Sequence, residues 1–194
     1  MKELEEQKKH IIDILRKTIK RNGIEDFIKY LEKETDFFEA PCSTRFHLSK
    51  KGGLAEHSLN VYELLKEKVE RYQLGTLDET ILICGLLHDL CKTKMYYEGK
   101  KWVKVNGGWQ EDKVYLVDEQ FPAGHGEKSV FLIQRFIELT DEEIIAIRWH
   151  MASFDPSIHF DYPNGYSFRN AIKKYPLLNL LITADMEASQ TLER

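Results

Sequence analysis

Four helical stretches of this chain each turn a metal-ligating residue type toward their own apolar stripe, and that pattern restricts the fold more than any other feature. His57 shares a face with Leu54, Val61 and Leu64. His88 continues the line of Ile81 and Cys84, and Asp89 the adjacent line of Leu82, Gly85 and Leu86. His150 follows Ala146 and Ile147 at helical spacing, and Asp185 follows Leu178 and Leu181. Residues on such stripes face the core, so the interior has to accommodate these groups. An inward histidine alone is ordinarily satisfied by one backbone carbonyl. A buried carboxylate costs on the order of several kcal/mol unless a proton, a basic partner or a cation meets it. Asp185 has no Lys or Arg within a turn on its own helix, which makes a metal the economical partner.

His125 is a further inward candidate, set in GHGEKSV at an expected helix start where two glycines allow close backbone approach. The resulting set is His57, His88, Asp89, His125, His150 and Asp185. Four imidazoles and two carboxylates suit two divalent ions, with one Asp able to bridge them and positions left open for water or substrate. Mixed nitrogen and oxygen donors without thiolate favour Fe, Mn, Co, Ni or Zn over Ca or Mg, and do not choose among them.

With 194 residues, 42% hydrophobic, and 28 basic against 32 acidic groups, a single domain over 1–194 is expected. It divides into an N-terminal helical segment at 1–40 and the ligand-bearing core at 44–190. Residues 3–34 read as one or two helices interrupted at Asn22-Gly23, and further helices are expected at 54–72, 78–91, 125–138, 141–151, 167–174 and 177–190. Thr140 followed by Glu143 fits a capping box. Near 95–120 β-branched and aromatic residues alternate with polar ones around Asn106-Gly107-Gly108, the pattern of a β-hairpin. Its Tyr96, Tyr97, Trp102, Trp109 and Tyr115 are expected to cover the helices, with a pocket wall as the second reading. No apolar stretch reaches membrane-spanning length, so no membrane partner and a cytoplasmic location are expected. The net charge of −4 offers no overall attraction to a polyanion. Cys42, Cys84 and Cys91 form no disulfide framework or CxxC motif, and no sequence feature fixes an oligomeric state.

In this order along the chain, GGLAEHSLNV, GLLHDLCK, GHGEKSV, RWHM and TADMEAS resemble the HD-domain metal-dependent phosphohydrolase superfamily, over roughly residues 44–190. The resemblance implies a mainly α fold, an HD-domain helical bundle with metals at its centre, here carrying a small hairpin insert. It implies that His57, His88, Asp89 and Asp185 are the basic ligand set and that His125 and His150 are the two extra histidines of dinuclear members. A finer similarity is to a bacterial and phage-associated group in which a hairpin insert precedes GHGEKS, and it names no substrate. Lys92 completes an HDxxK form whose lysine points at the anionic group of the substrate. Asp89 and Lys92 are therefore expected to be catalytic, and Arg45, His47, Lys92 and Lys128 to contact substrate, with Asp155 a further candidate for the pocket wall. The implied activity is hydrolysis of a phosphoester of a nucleotide or other small phosphorylated molecule by a metal-activated water. The alternative is an HD-type diiron oxygenase acting on a small polar or phosphonate substrate, since myo-inositol oxygenase uses a similar ligand set. The GYP signature of cyclic-dinucleotide phosphodiesterases is absent, as is the oligonucleotide-binding barrel of related exoribonucleases, which disfavours long nucleic acid as a partner.

Overall fold

The apolar stripes are buried by stacking helix on helix around one that is apolar on every side. The computed structural model describes residues 2–105, 107–160 and 165–193, and among these the chain is mainly α, with eight α-helices and one antiparallel hairpin. Helix α1 (Lys2–Thr18) carries Glu3 and Glu5 in its first turn and Arg16 and Lys17 in its last, charges that oppose the helix dipole, and buries Ile11 and Leu15. Helix α2 (Ile24–Lys33) buries Phe27, Ile28 and Leu31. Between them Gly23 takes φ +89°, and a Cβ there would lie 1.8 Å from the Phe136 carbonyl oxygen, so the expected break is obligatory.

Helices α3 (Gly53–Arg71) and α4 (Asp78–Leu87) follow. Every residue of α4 from Thr80 to Leu87 is buried, as a helix without a polar face must be. It packs on α1, α3 and α6 (Asp141–Trp149), while α5 (His125–Gln134) lies on α6 and α8 (Pro176–Glu187) on α3, α6 and α7 (Tyr166–Lys174). The Thr140–Glu143 capping box is formed. No helix among the described residues is long and apolar enough to cross a membrane.

Two helices end earlier than their apolar patterns suggest. The helix expected at 78–91 stops at Leu87; Asp89 has left α geometry at φ −101°, ψ 18°, and a 3-10 turn covers Leu90–Lys92. The Thr93 hydroxyl bonds the Leu90 carbonyl at 2.8 Å and Lys94 takes φ +53°, which ends the turn. The helix expected at 177–190 stops at Glu187 and continues as a widened π turn over Ala188–Leu192. The hairpin pairs β1 (Tyr96–Val105) with β2 (Gly108–Val117), Tyr96 opposite Val117. Asn106 lies outside the described residues; Gly107 takes φ +85°. Trp102 and Trp109 are 63% and 69% exposed and Tyr97 50%. Tyr97, Trp102 and Trp109 therefore do not cover the helices, whereas Tyr96 and Tyr115, with Leu116, are half-buried. The expected loop at 154–166 contains a 3-10 turn, Pro156–His159, and its residues 161–164 lie outside the description.

One ion-pair network ties the helix starts together. The fully buried Glu143 accepts from Arg21 at 2.6 and 2.7 Å, from the Thr80 hydroxyl at 2.7 Å and from the Thr140 amide at 2.8 Å. Arg21 also reaches Glu79 and the Glu138 carbonyl. Burial alone would raise the Glu143 carboxyl, but the Arg21 guanidinium and the Thr140 and Thr80 donors outweigh it and hold it below the usual carboxylate range. A depressed folded-state pKa stabilises above the unfolded value, and the contribution disappears as pH falls through the folded value. Arg21→Ala, which strands a buried charge, is expected to cost about 3–5 kcal/mol in urea unfolding at pH 7. That penalty should shrink on acidification below about pH 4, where the unfolded carboxyl takes up its proton.

Candidate metal centre

Close backbone contacts carry the six expected ligands to one place. Gly85 lies against α3, where a Cβ would stand 2.6 Å from the Tyr62 Cα, and this approach sets His88, at the end of α4, beside His57 on α3. Gly126 lies against the end of α6, where a Cβ would stand 2.3 Å from the Arg148 carbonyl oxygen and 2.6 Å from that of Ile147, bringing His125 to His150. Successive ring centroids are 5.4 Å apart for His57–His88, 4.9 Å for His88–His150 and 5.3 Å for His150–His125. Asp185 enters from α8, its Oδ1 3.3 Å from His57 Nε2.

Asp89 stands in the middle, and its two oxygens face different partners. Oδ2 is 3.5 Å from both His57 Nε2 and His88 Nε2 and 2.6 Å from the Lys92 ammonium. Oδ1 is 2.7 Å from His125 Nε2 and 3.5 Å from His150 Nε2. The far sides of three rings are already engaged. His88 Nδ1 donates to the Gly85 carbonyl at 2.8 Å, His150 Nδ1 to the Ile147 carbonyl at 2.7 Å, and His57 Nδ1 to the Glu193 carboxylate at 2.9 Å. With the proton on Nδ1, each Nε2 presents a lone pair to the centre. Among the described residues five buried side-chain polar atoms lack a hydrogen bond, and three of them are these Nε2 atoms. Buried polar atoms are normally satisfied; three convergent imidazole nitrogens without a hydrogen bond, beside two carboxylates, fit a divalent cation.

The charges agree with that. Burial would raise Asp89, but Lys92, His88, His125 and His150 outweigh it and hold its carboxyl well below the usual range. Asp185 is likewise held low, against burial, by His57 and His88. Burial would lower His57, yet the Asp185 and Glu193 carboxylates raise it to about 9. His125, beside Cys91 and Asp89, is raised against burial to about 10. Protons on these rings balance the carboxylates, and a cation takes over the same task.

A family model for the HD domain matches residues 54–184, a span that holds five of the six clustered residues and stops one short of Asp185. The chain belongs to the HD domain family. HD domain proteins are typically metal-dependent hydrolases, and the buried groups here suit divalent metals. No curated protein and no solved structure matches the chain.

Around the HD centre the other expected residues divide. Lys92 is at Asp89, held there from the 3-10 turn rather than from a continuous helix. The His47 ring lies tilted against His57, centroids 5.0 Å apart, with its Nε2 3.2 Å from the Cys42 sulfur. Arg45 is exposed, its guanidinium over the Phe46 ring. Lys128 is buried and its ammonium is taken up by Glu119 at 2.7 Å. Asp155 is bound to Arg148 and caps the turn at Ser157, which accounts for its carboxylate without a pocket. Sequence reasoning missed Glu193 and its second donor, Asn60 at 2.9 Å, as well as two thiols: Cys42 Sγ, 3.5 Å from the Lys92 ammonium, and Cys91 Sγ, 3.3 Å from His125 Nε2. The available signal for Glu193 was its place eight residues after Asp185, which the widened turn converts into two turns of helix.

Cation binding should release protons from His57 and His125. Apparent affinity for Mn²⁺ is therefore expected to rise with pH toward about 9 to 10, and calorimetry in buffers of different ionisation enthalpy should report that release. Affinity independent of pH between about 6 and 9 would contradict the assignment. Gly126→Ala pushes on the carbonyl that His150 Nδ1 uses; a loss of about 1–3 kcal/mol together with weaker Mn²⁺ binding is expected from thermal melts with and without the ion.

Proposed function

We propose that this HD domain protein is a phosphohydrolase holding two divalent transition-metal ions and cleaving a phosphoester of a nucleotide or another small phosphorylated molecule. The observation that carries the reading is the division of the Asp89 oxygens, Oδ2 toward His57 and His88 and Oδ1 toward His125 and His150. A single carboxylate between two imidazole pairs is what a bridging ligand requires, and Asp185 beside His57 adds an oxygen donor on the first side. Divalent cations at such a centre supply Lewis acidity, making water acidic enough to be a nucleophile near neutral pH and offsetting phosphoryl charge.

The protein's own groups do the rest. Asp89 accepts a hydrogen bond from the attacking water and keeps it oriented. The Lys92 side chain is mostly buried beside Asp89, where an ammonium can donate to a nonbridging phosphoryl oxygen as charge builds on it. Because Lys92 already neutralises Asp89, it is held in place before substrate arrives and loses little freedom when the anion binds. Tyr96 begins the hairpin near Lys92 and Asp89, and its hydroxyl is pushed up to about 12, chiefly by burial, so it remains a donor at neutral pH.

The test is phosphate release from a panel of nucleotides and phosphomonoesters by protein loaded in turn with Mn²⁺, Co²⁺, Ni²⁺, Zn²⁺ and Fe²⁺. Lys92→Ala should lower kcat/KM by about 10²–10³-fold, with the bound metal retained. Asp89→Asn should remove activity and weaken metal binding together. Turnover of oxygen without phosphate release in the Fe²⁺ sample, or hydrolysis at the wild-type rate in Asp89→Asn, would overturn the proposal.

A further inference from the structure

Glu193 lies beyond the span matched by the HD domain model, yet its side chain is only 1% exposed and lies against a ligand histidine. Its oxygens stand 3.0 and 2.9 Å from His57 Nδ1, and Oε1 also accepts from the Asn60 amide at 2.9 Å. Asn60 lies one turn after His57 on α3, so the helix that carries the ligand also carries the donor that fixes its partner. The third neighbour is His47, whose Nε2 is 4.0 Å from Glu193 Oε2. The π turn over Ala188–Leu192 delivers the carboxylate, with the Glu193 amide bonded back to the Ala188 carbonyl. Such turns are uncommon and recur where a helix has to re-aim a residue at a functional site.

His57 differs from His88 and His150 in one respect that gives Glu193 a task. Those two rings close their Nδ1–H on a carbonyl three residues back in their own chain, which local backbone fixes. His57 is bonded to Glu193 instead, 136 residues away. A carboxylate on the far nitrogen of a ligating imidazole fixes its tautomer, orients the ring and increases its donor strength.

We propose that Glu193 is a positioning residue for the metal centre, holding His57 with its proton on Nδ1 and its Nε2 lone pair on the cation site. The inference rests on cation binding at this centre and not on which reaction follows. Glu193 does not itself touch the cation or the substrate; it acts through His57, and Asn60 acts through Glu193.

The experiment is Co²⁺ binding to the full chain, followed by its visible absorption and by titration calorimetry, for wild type, Glu193→Ala, Glu193→Gln and Asn60→Ala. Glu193→Ala is expected to weaken Co²⁺ by about 10–100-fold and to change the absorption envelope. Glu193→Gln retains an acceptor for Nδ1–H and should recover most of that loss, and Asn60→Ala should fall between. Equal affinity in Glu193→Ala and wild type overturns the proposal, as does equal weakening in the Ala and Gln variants, which would make charge rather than the held tautomer responsible. The wild-type protein supplies a reading that needs no variant. Nitrogen-15 shifts of the Zn²⁺-loaded chain should show His57 protonated on Nδ1, and a metal on that nitrogen would sink the idea. A wild type that binds neither ion removes the metal centre itself, whereas a wild type that binds and a Glu193→Ala variant that binds equally well remove only the role of Glu193.

Discussion

Everything in this bundle is arranged around a carboxylate that has to be met on both sides in the interior. Asp89 is 2% exposed, and its neighbours come from five separate places in the chain: His57 on α3, His88 at the end of α4, Lys92 in the turn that follows, His125 at the start of α5 and His150 at the end of α6. A buried charge left without such partners would cost several kcal/mol, a large share of the stability of a domain of this size. The helix packing follows from that requirement. Gly85 and Gly126 occupy the two contacts where any side chain would hold the ligand helices apart, and α4, with no polar face, passes through the core and ends at the centre.

The turn after α4 is the fold's main concession to the site. By leaving α geometry at Asp89, the chain sets the carboxylate between the two imidazole pairs and brings Lys92 onto Oδ2 at 2.6 Å. The widened turn after α8 does the same for Glu193. At both places regular helix gives way next to a residue of the His/Asp cluster.

Much of the helical core was legible in the sequence because periodicity reports burial directly. The stripes through His57, His88, His150 and Asp185 needed only a 3.6-residue period and the rule that ionisable groups inside require partners. The helix ends were not legible, since α4 gives way where Asp89 leaves α geometry, and the turn after it ends on a Thr93 hydroxyl and a left-handed Lys94, none of which alters the apolar pattern. Glu143 shows a different blind spot. Its capping-box role is local and readable, whereas its ion pair with Arg21 joins residues 122 apart. Glu193 was hidden for the same reason, 136 residues from His57: long-range partners of a charge leave no periodic trace. The hairpin aromatics misled because alternation reports a ribbon without saying which way it leans, and Trp102 and Trp109 lean outward.

Charge at the centre bears on the proposed anionic substrate, which would have to be received by a molecule with a net charge of −4. Asp89, Asp185 and Glu193 are met by the Lys92 ammonium and by protons that His57 and His125 hold up to about 9 and 10, so at neutral pH the protonated centre is close to balanced. Each divalent cation that displaces one of those protons leaves one extra positive charge behind. On the proposed reading the centre would become attractive to an anion only as it loads, a local charge set against the small negative charge of the whole chain. Burial keeps that added charge unscreened by salt, so it acts at short range on whatever small group enters.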